Sequence, residues 1–330
     1  MTLGTWPPEV WLSVPSLALL GLVVGSFLNV VVHRLPRMME RDWWAQAAMQ
    51  LGDADSHRRV FEGAEPGAAL TQASGDLDAR LTALAPLSLA LPASHCPACG
   101  HRIRWFENLP LISWLVLRGR CAACGVRIAL RYPLVELLTG LLFGALAWRL
   151  GPQPVVLAWC AFAAVLVAAS AIDWDTTLLP DGLTLPLLWG GLLASLLGWT
   201  LPLADALIGA MAGYLSLWSV FWLFKLATGT GAPHRPWTAA YWAERAASGK
   251  DGMGHGDFKL LAALGAWLGW QALLPIVLMA SLLGAVVGIG MKFAGSLREG
   301  RYVPFGPFLA GGGLVVALAG TPVVLRWMGW

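Results

Sequence analysis

Charge is what this chain has least of. Of its 330 residues only 12% are charged while 57% are hydrophobic, against about 25% charged in soluble globular chains. That scarcity excludes an ordinary soluble protein. The alternating ten-residue pattern of a membrane barrel is missing as well, whereas several apolar segments reach or approach the roughly 20 residues that cross a bilayer as a helix. The expected fold class is an all-α polytopic membrane protein. The N-terminus has no basic region and the first apolar run ends without a small-residue cleavage site, so that run reads as a retained helix and not a signal peptide. A net charge of +3 is too small to argue for nucleic acid, and no nucleic-acid partner is expected. No repeat of fixed period, low-complexity tract or glycine-rich strand-to-helix nucleotide fingerprint is visible.

The apolar runs number eight, at about 12–32, 134–150, 155–172, 183–200, 203–227, 258–270, 274–291 and 305–326. The first ends in Gly25-Ser26-Phe27-Leu28-Asn29, through His33-Arg34 to Pro36. Small and polar residues there serve either close helix packing, with Ser and Asn bonding across the interface, or a site. The chain therefore divides into an N-terminal transmembrane helix (1–33), a polar domain (34–131) and a seven-helix core (132–330). The core is interrupted by a second polar insertion at about 228–256, in which Trp237 to Ala247 could lie as a helix on the membrane surface. Within the polar domain, residues 38–95 carry four Arg against eight acids, and residues 96–131 carry six Arg against Glu107 alone. Such segregation is either a solvated surface or a basic half resting on anionic membrane lipid beside an acidic half that attracts a basic peptide.

Lys and Arg concentrate in cytoplasmic loops. Placing 34–131 in the cytoplasm puts all 22 basic residues on that side except Arg149 and Arg326, and the loops near 151–154, 201–202 and 271–273 carry no charge. Both termini then lie outside, and Asp173 and Asp257 fall at cytoplasmic helix ends.

Cys96-Pro97-Ala98-Cys99-Gly100 and Cys121-Ala122-Ala123-Cys124-Gly125 form two glycine-closed C-x2-C knuckles. Four thiolates at this spacing suit a tetrahedral Zn2+ at about 2.3 Å, in a structural role because no coordination position is left open. A pair of disulfides is the alternative, which a reducing cytoplasm disfavours. Cys160, within the third run, reads as packing.

The acids are the remaining signal. Gly252-Met253-Gly254-His255-Gly256-Asp257-Phe258-Lys259 delivers one carboxylate to the first turn of an apolar helix. An N-cap or first-turn role accounts for Asp257 by itself. Asp173 resists that account, because it ends an apolar run where the helix dipole disfavours an anion. If the two meet, they must share a proton, which is the arrangement in which one carboxylate activates water while the other, protonated, bonds the scissile carbonyl. Gly254 and Gly256 would let substrate backbone approach and free the turn. Lys259 would stabilise an anion or reach headgroups. Asp181 reads as a turn or cap residue, Asp175 as a loop or supporting acid, and His255 as incidental or an extra acid/base group.

With these residues in view, the chain resembles the type IV prepilin leader peptidases, also known as prepilin peptidase/N-methyltransferases. Gly254-His255-Gly256-Asp257 is similar to the family's GxGD motif, and Asp173, seven residues before Pro180, stands where its other catalytic aspartate lies. Gly25 to Pro36 resembles the N-terminal signature. The two knuckles with Asn108-Leu109-Pro110, Arg118-Gly119-Arg120-Cys121 and Arg131-Tyr132-Pro133-Leu134-Val135-Glu136 resemble the zinc domain. The resemblance implies an inner-membrane enzyme that cleaves the basic leader of prepilins, and of type II secretion pseudopilins, at the cytoplasmic face. It also implies N-methylation of the new N-terminus with S-adenosylmethionine as donor, Asp173 and Asp257 as catalytic pair, and an association of Gly25, Asn29 and Glu107 with methyl transfer. The segment between Pro36 and Cys96 and the loop Gly231 to Lys250 are longer than the family pattern. Two other readings remain at this point: a transporter or scaffold with proton-coupling acids, which places acids at the bilayer midplane, and a GxGD protease acting on other membrane proteins.

Overall fold

The computed structural model describes residues 8–228, 254–295 and 303–329, which leaves most of the 228–256 insertion, its expected surface helix and Gly252-Met253 outside the described residues. After a single turn at Pro8–Trp11 the helices are α1 (Val14–Gly52), α2 (Ala54–Val60), α3 (Ala68–Thr82), α4 (Ile112–Val116), α5 (Arg131–Leu150), α6 (Val155–Thr176), α7 (Asp181–Leu196), α8 (Leu203–Thr228), α9 (His255–Leu268), α10 (Leu273–Phe293), α11 (Gly306–Ala319) and α12 (Thr321–Trp327). Among the described residues β structure is confined to two isolated bridges.

Every one of the eight apolar runs is helical, but not every run is a separate full-length span. Five helices, α1, α5, α6, α8 and α10 with its preceding turn, are long and apolar enough to cross a membrane. The run at 183–200 is the 16-residue α7 and the run at 258–270 is the 14-residue α9. The last run, expected as one helix, is two: α11 and α12 meet at a bend of 107°. Gly320 sits between them at φ +93, and Pro322 in the first turn of α12 has no N–H with which to continue α11. The first apolar run belongs to a longer helix, which runs without a break to Gly52 and takes Pro36 inside it.

Two compact units result: residues Met1–Gly25 with Val135–Trp330, and Ser26–Leu134. In the first, α9 is the innermost element. Phe258, Leu260, Leu261, Ala263, Leu264 and Ala266 are all at 0% exposure, and α8, α7 and α11 pack around the helix. The contact with α8 is backbone on backbone. A Cβ at Gly265 of α9 would stand 2.1 Å from the Gly209 carbonyl oxygen, and one at Gly213 would stand 2.5 Å from that of Leu261. Gly209 and Gly213 are one turn apart on α8, the small-xxx-small spacing that lets membrane helices touch. Towards α7, Gly191 leaves room for the Trp267 ring, where a Cβ would come to 2.6 Å, and Trp267 Nε1 donates to the Leu187 carbonyl at 2.8 Å. α1 and α5 use the same device, Gly21 facing Thr139 and Gly140, and Gly25 facing the Glu136 backbone.

In the second unit the acidic stretch from Asp53 to Asp78 forms α2 and α3. Ser74 of α3 donates to the Ala48 carbonyl of α1 at 2.7 Å. Buried Arg34 spends its guanidinium on the carbonyls of Ser88, Leu89 and Pro92, which fastens the strap ahead of the first knuckle to α1. A fork of this kind satisfies several carbonyls from one side chain.

The α8–α9 contact predicts that Gly265→Ala costs about 1–3 kcal/mol by overpacking, read as a lower thermal midpoint of the detergent-solubilised protein. Gly290→Ala, which meets nothing within 4 Å, should be neutral or slightly stabilising.

Candidate active site

Asp173 lies in the last turn of α6. Thr177 closes that helix in the left-handed conformation and donates its N–H to the Asp173 carbonyl at 2.8 Å. The chain then turns through Leu179 and Pro180 into α7. Asp257 is the third residue of α9, whose N-cap Gly254 is extended at φ −74. It bonds back to Gly254 through its own N–H at 3.1 Å, and its carboxylate faces the Gly254 amide. The first-turn reading of Asp257 is thus correct as geometry.

The fold brings these two ends together. Asp173 and Asp257 are 5% and 6% exposed, and the charge of Asp173 acts on Asp257. Asp173 Oδ2 and Asp257 Oδ1 are buried without a hydrogen-bond partner. Buried polar atoms in native proteins are nearly always paired, so two orphaned oxygens at one place mark a site where water or substrate is engaged. Like charges this close share a proton, which gives one site an acceptor and a donor.

The surrounding residues act differently from what their types suggest. Gly256 is not a conformational hinge: it sits inside α9, and a Cβ there would stand 2.6 Å from Leu179 Cβ. Gly254 has an ordinary φ and faces Asp257, with Oδ2 at 3.6 Å from its would-be Cβ. Lys259 turns to Asp181, at 2.6 and 2.7 Å from the two carboxylate oxygens, which ties the starts of α9 and α7 together. His255 is exposed and packs against Phe221 and Phe258. Asp175 is exposed at the end of α6.

In the other unit Cys96, Cys99, Cys121 and Cys124 converge, their sulfurs all within 4.8 Å of one another. Each knuckle is built alike. Cys96 N–H bonds the His101 carbonyl and Cys121 N–H that of Val126, inside the bridges His95 to Arg102 and Arg120 to Arg127. Gly100 and Gly125 turn at φ +71 and +70, which only glycine takes without strain. The Cys96 and Cys124 sulfurs are 3.9 Å apart, against the about 3.8 Å that an ion 2.3 Å from each would set in a tetrahedron. Backbone N–H groups of Cys124 and Ala123 draw the Cys121 thiol down to about 6, while Cys99, although the His101 backbone lowers it, is pushed up to about 12 by desolvation and its three neighbouring thiols. By its geometry the donor set could hold a metal ion.

The other three candidates are taken up by contacts within the protein. A Cβ on Gly25 would meet the Glu136 Cα at 2.7 Å. Asn29 Nδ2 donates to the Tyr132 carbonyl at 3.1 Å. Glu107 accepts from the Arg104 N–H at 2.9 Å and meets His101 Nε2 at 3.1 Å, contacts that hold its carboxyl below the usual range and close the turn after the first knuckle.

Comparison with known proteins accounts for both units. Residues 19–150 match the Bacterial Peptidase A24 N-terminal domain, and residues 160–289, which include Asp173 and Asp257, match the Type IV leader peptidase family. A protein of Aeromonas hydrophila named prepilin leader peptidase/N-methyltransferase is 47% identical over 317 residues, 96% of this chain and 94% of that one. The chain belongs to the type IV leader peptidase family. Proteins of the same name from Pseudomonas aeruginosa and Burkholderia pseudomallei are 46% and 45% identical, over 94% and 93% of this chain and 91% and 85% of theirs. No solved structure matches.

Sequence reasoning did not anticipate two residues at the dyad of this leader peptidase. Leu179 is buried between Gly256 and Gly306, and the start of α11 comes to Asp173: a Cβ on Gly306 would lie 2.5 Å from Asp173 Oδ2 and 3.0 Å from Leu179 Cδ1. The available signal was Phe305-Gly306-Pro307, a helix-start pattern at the head of the last apolar run.

The Lys259 and Asp181 side chains are 30% and 55% exposed, so their ion pair should be a weak clasp. A double-mutant cycle of Lys259→Ala and Asp181→Ala is expected to show a coupling of about 0.2–1 kcal/mol in thermal unfolding at low salt, shrinking as salt is raised.

Proposed function

We propose that this protein is a membrane aspartic endopeptidase that cleaves the basic leader from type IV prepilins and type II secretion pseudopilins, then N-methylates the newly exposed N-terminal residue. The observation that carries the peptidase reading is the junction of two buried carboxylates, from the end of α6 and the start of α9, each with an oxygen that nothing in the protein satisfies. Membership of the leader peptidase family and the names of its relatives support the substrate and the second activity.

The chemistry uses one water and no covalent intermediate. The ionised carboxylate takes a proton from water, whose oxygen attacks the scissile carbonyl carbon, while the protonated carboxyl bonds and protonates the carbonyl oxygen. When the C–N bond breaks, the amine leaves with the proton taken from water, and the second carboxyl recovers its own from the diol. Asp173 and Asp257 are the catalytic residues in this scheme. Gly256 supports them by letting Leu179 pack, and Lys259 supports them by holding α9 to α7.

The proposed orientation is that of a multi-pass inner-membrane protein with both termini periplasmic and both acids at the cytoplasmic face. The count of basic residues supports it. Acids at helix ends also favour surface chemistry over the transporter reading. Membrane lipid is the second proposed partner: exposed Trp105, Ile112, Leu115 and Val116 lie in the arginine-rich segment of the cysteine unit, a composition suited to an anionic headgroup layer. The metal is proposed to be a structural Zn2+ held by the four cysteines. S-adenosylmethionine, the proposed donor, would supply an electrophilic methyl group. Gly25, Asn29 and Glu107 are proposed to be associated with that transfer, a role that rests on the family resemblance alone.

Incubating the purified enzyme with a prepilin in the presence of S-adenosylmethionine should release the leader and yield a methylated N-terminus by mass spectrometry. Asp173→Asn and Asp257→Asn should each abolish release. Wild-type turnover in either variant excludes the dyad, and an unmethylated product restricts the enzyme to peptidase activity. Elemental analysis should find about one zinc per chain, lost in Cys96→Ser/Cys99→Ser; intact disulfides in freshly isolated protein would contradict the assignment.

A further inference from the structure

Asp173 sits at the wrong end of its own helix. A carboxylate in the last turn of α6 faces the negative end of the α6 dipole, where carbonyl groups and not N–H groups are unsatisfied. Something must compensate, and the fold supplies the positive end of a different helix. The Gly306 backbone N–H, at the first position of α11, acts on the Asp173 carboxylate. Within that first turn the other amides are spoken for. Pro307 has no N–H, and Phe308 and Leu309 both donate to the Phe305 carbonyl, at 3.1 and 3.2 Å. The N–H of Gly306 is the one the turn leaves for Asp173.

Room is as tight as the electrostatics require. A Cβ at 306 would stand 2.5 Å from Asp173 Oδ2 and 3.0 Å from Leu179 Cδ1. Leu179 in turn fills the space that a Cβ on Gly256 would need, so the start of α11, the α6–α7 turn and the start of α9 form one closed stack around the two carboxylates. Among the described residues, Lys259 is paired with Asp181, Lys225 lies over the Phe221 ring at 4.5 Å, and His255 packs against Phe221 and Phe258.

We infer that Gly306 is a positioning residue of the peptidase site: its amide and its missing side chain together seat the Asp173 carboxylate against Asp257 at the first turn of α11. This rests on the dyad reading above. Its consequence is that the last apolar helix, which contributes no acid, base or nucleophile, is part of the peptidase machinery.

The test compares two alanines on α11. Gly306→Ala pushes on Asp173, whereas Gly313→Ala meets Leu264 Cδ2 at the same 2.5 Å and touches neither carboxylate. Steady-state leader release by the full-length enzyme should show kcat reduced about 100-fold in Gly306→Ala, the scale of an ångström of misplacement, with KM within about twofold of wild type. N-methylation of an already cleaved pilin peptide should persist. Gly313→Ala should lose thermal stability to a similar extent and keep its kcat within about threefold. A Gly306→Ala enzyme with wild-type kcat overturns the inference, as does one whose peptidase and methylation activities fall together in step with the stability loss of Gly313→Ala. The dyad reading fails separately, through an Asp173→Asn enzyme that still releases the leader.

Discussion

The confinement of α9 is the constraint on which the membrane unit depends. This 14-residue helix must start at a surface with a carboxylate and then disappear into protein on nearly every side. Its sequence allows that only because its neighbours give up their side chains at the crossing points. Gly209 and Gly213 let α8 lie backbone to backbone against it, and Gly191 yields to Trp267. Packing of this kind replaces the hydrophobic effect as the main association force between helices in lipid. It also fixes the height and rotation of α9, and therefore where Asp257 points.

Once α9 is held, the chemistry follows from how helix ends are distributed around Asp257. Three ends converge: the C-terminus of α6 with Asp173, the N-terminus of α9 and the N-terminus of α11. The α6 and α9 ends each carry an acid and the α9 and α11 ends present N–H groups, so each of the two buried carboxylates meets a backbone amide instead of a cationic side chain. The nearby cation, Lys259, is engaged with Asp181. An arrangement without a tight ion pair to either acid leaves both oxygens open to water and to a carbonyl.

The cysteine unit solves a different problem. It has little apolar interior, with Cys96 and Ala48 among its few buried apolar residues, and its order comes from local devices: two matched knuckles, the Arg34 fork on three carbonyls and the Glu107 cap. A metal would add a cross-link between the knuckles, which are 21 residues apart between Cys99 and Cys121. Small units that cannot bury enough surface are commonly stapled in this way.

Much of this was legible in the chain itself, because the relevant signals are local. Low charge and long apolar runs determine an α-helical membrane protein. The C-x2-C-Gly repeats determine a four-thiolate site, since ligand spacing and the positive-φ glycine belong to a few adjacent residues. Asp173 stood out because no rule of helix capping explains an acid at a helix C-terminus. Other features were invisible for an equally physical reason. The bend at Gly320, the run of α1 to Gly52 and the Lys259–Asp181 pair depend on neighbours far along the chain. So do the close contacts at Gly25 and Gly256, which residue type alone does not reveal. Above all, the sequence determined that Asp173 needed a compensating partner, and only the tertiary structure decided that the start of α11 supplies it, because a backbone amide bears no mark in the sequence until another helix is folded against it.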